Sequence, residues 1–276
     1  MSKGFGPDEL LACYARGTFP MADGRDDPRL FLVDPDQRGI LAFENIHIPR
    51  RLKRTVRSEP YRITINRAFR KVVENCAAPQ GTREETWINQ PILELYDGLY
   101  RRGHGVSVET WLGDQLVGGL YGVRLGAAFF GESMFSRARD ASKIALVHLL
   151  GHLIAGGFKL LDTQFLTEHL KQFGATEVAR ADYRRLLDDA INCASIFPAP
   201  DLLAATEGQA TAQVHPLAQA QDFQLDLTHL YLEPAPEQRN AGPHLSPQLL
   251  WQVSVGARCL KIIDAHLAEA GQPHHS

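Results

Sequence analysis

Ala127-Ala128-Phe129-Phe130-Gly131-Glu132-Ser133-Met134-Phe135-Ser136-Arg137-Ala138-Arg139-Asp140-Ala141-Ser142-Lys143-Ile144-Ala145-Leu146 is an apolar run, a polar turn and the start of a second apolar run. The first part, Ala127 to Glu132, is short and aromatic, which suits a buried strand. Asp140 is placed to cap a helix that continues through Leu149 and Leu150 and stops at Gly156-Gly157. Phe158 to Phe165 then reads as another buried strand. Glu132 stands where the apolar run turns polar. A carboxylate in that setting is costly unless a cation meets it. The cation is either a structural arginine, with Arg137 close in sequence, or part of a substrate.

Working outward, Val106–Trp111 and Gln115–Val123 alternate as half-buried strands do, with Gly113-Asp114 and Gly126 as turns between the three strands. Gly118-Gly119 inside the second predicts a bulge or a close backbone approach. Before them come a strand over Tyr61–Ile65, a helix capped by Asn66 and running to Cys76, and a helix over Gln90–Arg101 stopped by Gly103. Near the start, Pro7–Tyr14 reads as a helix, the stretch to about Arg38 as turns, and Ile40–Phe43 and Ile46–Ile48 as short strands. After Phe165 come a helix from Thr167 or Glu168, a break at Phe173-Gly174-Ala175 and a helix over Ala181–Ala190. The order is α+β around one mixed sheet. The expected division is a small N-terminal α/β domain (1–60), a mixed-sheet catalytic domain (61–198), and a linker with a C-terminal extension (199–276). The linker is rich in Ala, Gln and Pro to about Ala220. Phe223–Leu232 alternates like a strand, and Leu249–Leu267 has helical spacing suited to packing on the body.

The chain has 276 residues, with 29 Lys+Arg against 32 Asp+Glu, so overall charge does not mark it as a nucleic-acid binder. A local patch exists all the same. From Arg50 to Lys71 nine basic residues, including Arg50, Arg51, Lys53, Arg54 and Arg57, face Glu59 alone. Cys13, Cys76, Cys193 and Cys259 contain no CxxC spacing, which argues against a zinc site or a disulfide framework. A reduced cytoplasmic protein is the plain expectation. No apolar run approaches the ~20 residues that cross a bilayer.

Several motifs occur in order: Tyr14-Ala15-Arg16-Gly17-Thr18-Phe19-Pro20-Met21, Thr86-Trp87-Ile88, Ser107-Val108-Glu109, Leu116-Val117-Gly118-Gly119-Leu120-Tyr121-Gly122, Gly131 to Ser136, Asp140-Ala141-Ser142-Lys143, Asp162-Thr163-Gln164 and His169-Leu170. Together, over roughly Leu10 to Leu187, they resemble the leucyl/phenylalanyl-tRNA–protein transferase family. The resemblance implies a catalytic part related to GNAT-type acetyltransferases, with a small N-terminal domain added. It also implies a reaction: leucine or phenylalanine moves from leucyl-tRNA or phenylalanyl-tRNA to the N-terminal amine of proteins beginning with Arg or Lys. That addition marks them for N-end-rule degradation. No metal or cofactor is implied, because the tRNA ester supplies the energy of the new peptide bond.

The resemblance assigns roles to residues. Glu132 would bind the acceptor's N-terminal cation, since a carboxylate can make two charged hydrogen bonds to Arg. Asp162 and Gln164 would serve the reacting amine. As alternate residues of a strand they would share a face, with Thr163, usually Cys in the family, facing away. Gln164 would hold the amine and the ester in line, with Asp162 orienting Gln164 or helping to take the proton. An α-amine has a pKa near ~8, so positioning is most of the task. Met134, Phe129, Leu120, Leu146, Leu149 and Ala155 would line the aminoacyl pocket, where a flexible thioether suits branched and aromatic guests alike. Trp87 would stack on the 3′-terminal adenosine of the tRNA. The basic run beginning Arg50, Arg51, Lys53, Arg54 and Arg57 would touch acceptor-stem phosphates. The chain departs from the family at Leu32-Val33, where Trp is usual before Pro35-Asp36-Gln37-Arg38-Gly39, at Val106, usually His, and at Phe173.

Two other readings compete. A coenzyme A-dependent N-acetyltransferase would need a Gly-rich pyrophosphate loop at a helix N-terminus. The turn here, Ser136 to Asp140, has no glycine and ends on an acid. A non-catalytic tRNA-binding adaptor would have no use for Glu132, Asp162 and Gln164 together.

Overall fold

The computed structural model describes residues 4–79, 85–199, 202 and 255–271. In chain order the elements are α1 (Pro7–Ala15), β1 (Phe19–Met21), β2 (Phe31–Val33), β3 (Gln37–Ile40), α2 (Arg50–Arg57), β4 (Arg62–Ile65), α3 (Phe69–Ala77), α4 (Gln90–Arg101), β5 (Gly105–Leu112), β6 (Gln115–Leu125), β7 (Ala128–Ser136), α5 (Ala141–Ala155), β8 (Leu160–Gln164), α6 (Glu168–Lys171), β9 (Thr176–Ala179), α7 (Arg180–Ile191) and α8 (Val255–Ala270). The expected α+β class is what folds. β1 and β2 form a ribbon, and the other seven strands form one sheet ordered β4-β5-β6-β7-β8-β3-β9. Only β7 and β8 run parallel, and α5 makes the crossover between them.

Alternation sends successive side chains to opposite faces of this sheet. Tyr121 and Phe130 join a core with Leu10, Tyr14, Val72 and Tyr96, under α1, α3 and α4. Their neighbours Leu120 and Phe129 join a core with Leu146, Leu149 and Leu150 of α5 and with Leu52 and Val56 of α2. α5 is apolar almost all round because the sheet covers one side and α8 the other. Full burial of each such leucine contributes ~1.5–3 kcal/mol.

Several local expectations change. The stretch read as turns contains β2 and the start of β3. Of the two short strands expected nearby, only Ile40 is in a strand; Phe43–Asn45 is a 3-10 turn, and Ile46 and Ile48 are buried in irregular chain. Asn66 does not cap α3, which starts three residues beyond it, at Phe69, with Ala68 at the cap position. The Asn66 backbone is left-handed (φ 58°), and its Oδ1 accepts from the Ser107 amide at 2.8 Å. Asp140 occupies the cap position of α5 but makes no capping bond; Ser136 Oγ accepts from the Ser142 amide instead, at 3.2 Å. The strand after α5 is shorter than expected, β9 is an addition to the expected strands, and the basic run at Arg50–Arg57 is a helix. The alternating segment Phe223–Leu232, nearly all of the linker, and 249–254 of the last expected helix lie outside the described residues. The rest of that helix is α8, and it packs on α5, α2 and the 3-10 turn.

Candidate active site

The site forms where two neighbouring strands part. β7 and β8 pair only from Ala128–Phe130 against Leu160–Asp162, although β7 continues to Ser136. Past that point a cavity of about 570 Å³ opens, lined by Gly131 to Ser136 on one side and Thr163, Gln164 and Phe165 on the other. Two bulges aim its polar groups. On β7, Tyr121 and Gly122 of β6 stand opposite Ser133 and Gly131, so Glu132 is the extra residue. On β8, Gly39 and Ile40 stand opposite Gln164 and Asp162, so Thr163 is the extra residue. A bulged residue leaves the ladder and its side chain is redirected. Gly39 is needed at this crossing, because a Cβ there would lie 2.6 Å from the Phe165 carbonyl carbon.

Glu132 is partly buried and receives three donors. Tyr14 donates to Oε1 at 2.6 Å, Tyr96 to Oε2 at 2.6 Å, and Gln164 Nε2 to Oε1 at 3.3 Å. The two tyrosine hydroxyls are themselves 2.9 Å apart. Burial pushes the Glu132 carboxyl up to about 7; the two tyrosine bonds resist this, nearby Asp162 adds to it and Arg38 opposes it. Both tyrosines are held well above their ordinary range, by burial first and then by the Glu132 charge. With Glu132 ionised, both hydroxyl protons point at the carboxylate and the contact between the tyrosines carries none. A third proton, on Glu132, would let all three oxygen–oxygen contacts be hydrogen bonds. No arginine side chain is among these hydrogen-bond partners; Arg137, the structural partner considered from sequence, is exposed.

Asp162 is fully buried and is held quite differently. Arg38 Nε and Nη2 donate to Oδ1 and Oδ2 at 2.9 and 2.6 Å, Tyr183 donates to Oδ2 at 2.6 Å, and the Gln164 amide donates to Oδ1 at 2.8 Å. The guanidinium also donates to the Gly17 carbonyl at 2.8 Å and lies 4.5 and 4.4 Å from the Phe19 and Tyr183 ring centres. Burial works against the charge on Arg38, but Asp162 holds the group above its usual range. Burial and then Asp162 push Tyr183 up as well.

The strand alternation read from sequence therefore fails at this point. The bulge at Thr163 and the left-handed backbone of Gln164 (φ 57°) break the period of two. Asp162 lies among Arg38 and Tyr183 and is not part of the cavity wall, whereas Gln164 and the supposedly averted Thr163 both line it. Asp162 reaches Gln164 through the backbone amide.

Leu120, Met134, Leu146 and Leu149 line the cavity, together with Leu161 and Leu170. Two expected pocket residues do not. Phe129 is wholly enclosed behind the wall, against Phe158 and Phe197, and Ala155 is exposed at the far end of α5. Trp87 lines the same cavity and belongs to the opposite side of the sheet, with Phe19. The basic run is not part of this wall. Arg50, Arg51, Arg54 and Arg57 are exposed on α2, whereas Lys53 is paired with Asp264 of α8 at 2.5 Å. Farther along the run, Arg70 pairs with Glu74 and Asp97, and Arg62 lies over Trp111.

Sequence reasoning missed Arg38, Tyr14, Tyr96 and Tyr183 as site residues. The available signal was weak: a buried tyrosine hydroxyl needs a partner, and Tyr14 and Tyr96 lie on the apolar faces of α1 and α4.

Comparison with known proteins bears on what this cavity holds. Residues 40–188 match the family model described as leucyl/phenylalanyl-tRNA protein transferase, and residues 5–36 match that of its N-terminal domain. A leucyl/phenylalanyl-tRNA–protein transferase of Caulobacter vibrioides is 64% identical over 191 residues, covering 69% of this chain and 88% of the relative. Proteins of the same name from Hyphomonas neptunium and Maricaulis maris are 59% and 57% identical, covering 73% and 74% of this chain and 80% and 95% of their own.

Proposed function

The chain belongs to the leucyl/phenylalanyl-tRNA protein transferase family, and on that premise we propose that it moves leucine or phenylalanine from aminoacyl-tRNA to the N-terminal amine of proteins beginning with Arg or Lys, marking them for N-end-rule degradation. The observation that carries this reading is one cavity with an apolar wall at Leu120, Met134, Leu146 and Leu149 and a carboxylate, Glu132, facing it from a bulge. An apolar aminoacyl side chain fits the first feature and a cationic acceptor the second.

In the proposed reaction the acceptor nitrogen attacks the ester carbonyl carbon, the N–C bond forms, and the C–O bond to the tRNA breaks. The amine loses a proton and the departing ribose oxygen gains one. Gln164 holds the reactants in line; alignment of this kind can be worth ~7–11 kcal/mol in ideal cases. Asp162 is a positioning residue, because Arg38, Tyr183 and the Gln164 amide already occupy both of its oxygens. Glu132 receives the acceptor cation on what its three donors leave free. Trp87 stacks on the terminal adenosine, and the exposed arginines of α2 meet acceptor-stem phosphates. Such a pocket separates similar hydrophobes by only ~1–3 kcal/mol, so a third apolar amino acid should be transferred to some extent.

Coenzyme A chemistry is disfavoured at the start of α5. Ser136 already occupies the Ser142 amide there, and the Asp140 carboxylate stands beside it. The test is transfer of radiolabelled leucine from charged tRNA to a peptide beginning with Arg, beside the same peptide beginning with Asp, for wild type and Glu132→Gln. The expected result is transfer to the Arg peptide alone, weakened by the substitution. Equal transfer to both peptides would refute the cation site, and tRNA binding with no transfer to either would leave an adaptor.

A further inference from the structure

α8 lies beyond both stretches that match the family, 5–36 and 40–188, yet it is built into the body. Leu260 and Ile263 are buried in the same core as Leu52 and Val56 of α2. Gly256 packs so closely on α2 that a Cβ would meet Val56 Cγ1 and the Val56 carbonyl oxygen, each at 2.8 Å. The Gly256 amide donates to Glu59 Oε1 at 3.3 Å, just past the end of α2, and Asp264 pairs with Lys53 at 2.5 Å.

α2 needs such help. It has eight residues, no side-chain cap and no acid in its first turn. Helices this short are marginal unless packing fixes them. Its buried residues are Leu52 and Val56, while Arg50, Arg51, Arg54 and Arg57 project from it with no ion pair among the described residues. Four guanidiniums with no ion pair among the described residues, carried on one short helix, can neutralise phosphates together when that helix is held in place.

We propose that α8 is a brace for α2, and that Gly256 and Asp264 are positioning residues for the tRNA. They set the direction of the arginines without touching the cavity. This rests on the reaction proposed above. A mere shield is the opposite case: if Asp264 only masked Lys53, freeing Lys53 would strengthen tRNA binding.

The experiment uses the full chain carrying Gly256→Leu or Asp264→Ala, and two donors: charged tRNA and the short donor 3′-phenylalanyl-adenosine, which reaches the cavity but has no acceptor stem. The brace predicts that both variants raise KM for charged tRNA about tenfold at low salt. They should also flatten the log–log slope of its salt dependence by ~0.7–0.9 for each phosphate that is no longer neutralised. Both should leave kcat and KM for the short donor within about twofold of wild type. Tighter tRNA binding by Asp264→Ala, no change in either variant, or equal loss with both donors would each overturn the brace. Failure of the wild-type protein to use either donor would instead overturn the reaction it rests on.

Discussion

Two carboxylates on adjacent strands, Glu132 of β7 and Asp162 of β8, are treated in opposite ways. Asp162 has a full positive charge against it, from the Nε and Nη2 edge of the Arg38 guanidinium, and two further donors. Among the described residues Glu132 has only neutral donors, from Tyr14, Tyr96 and Gln164. Asp162 is enclosed by the core, whereas Glu132 faces the cavity. The fold has consumed the charge of Asp162 in holding β3, β8 and α7 together. It gives Glu132 no cation in hydrogen-bond contact among the described residues, and burial pushes that carboxyl up to about 7. A buried acid with a guanidinium on it reads as architecture. One supported only by hydroxyls and an amide is poised for a partner that arrives.

The contrast can be broken by substitution. Arg38→Ala should have the largest effect, because it leaves Asp162 buried and unpaired; loss of one partner of such a pair costs ~3–5 kcal/mol, measurable by urea denaturation. A loss below ~1 kcal/mol would mean that Asp162 is not held as an ion pair. Glu132→Gln should act on turnover rather than folding. Loss of a charged hydrogen bond to the acceptor is worth ~2 kcal/mol, roughly thirtyfold in kcat/KM for an Arg peptide, with little change in the denaturation midpoint. If the fold suffers more than the reaction, the two carboxylates are alike after all.

The third test is pH. The proposed acceptor site needs ionised Glu132, so KM for an Arg peptide should fall as pH rises through about 7. The Tyr14 hydrogen bond holds that carboxyl down, so Tyr14→Phe should move the transition to higher pH. The linkage has a definite sign. The native carboxyl is raised from 4.5 to about 7, so the folded state keeps a proton that the unfolded chain has lost across that window. The stability contributed by this group is therefore full below about 4.5 and is lost as pH rises to about 7. A KM flat in pH, with denaturation equally flat, would remove the idea. Tyr183→Phe should be the mildest change. It takes one donor from Asp162 but leaves Arg38 in place, so ~1–2 kcal/mol of stability should go while the pH dependence of KM stays as in wild type.

Much of the sheet was legible because its signals are local. The β5–β6–β7 run shows in the alternation of Val106–Trp111 and Gln115–Val123 and in the turns at Gly113 and Gly126. α4 shows in its helical spacing, although nothing in that spacing marks its cap, Asn89. What the sequence hid is what distant segments do to one another. β9 and β2 are short and find their places only by pairing with β3 and β1. Asn66 looks like a helix cap until β5 claims its side chain. Phe129 and Leu120 look equally suited to a pocket, but of the two only Leu120 lines the cavity.

The residues of the site also divide this way. The order of motifs from Tyr14 to His169 determined the family and the α+β class and singled out Glu132, Asp162 and Gln164 as candidates, because chemistry of that kind is carried by residue type and order. Tertiary structure alone decided what each does there. Arg38 is 124 positions from Asp162, and Tyr14 is 118 from Glu132. No local pattern records a partner at such separation. Nor does the period of two survive at Thr163, since a bulge forms only when another strand lies alongside. Which carboxylate keeps a free charge is settled by which guanidinium the fold brings within hydrogen-bond reach, and it brings Arg38 to Asp162.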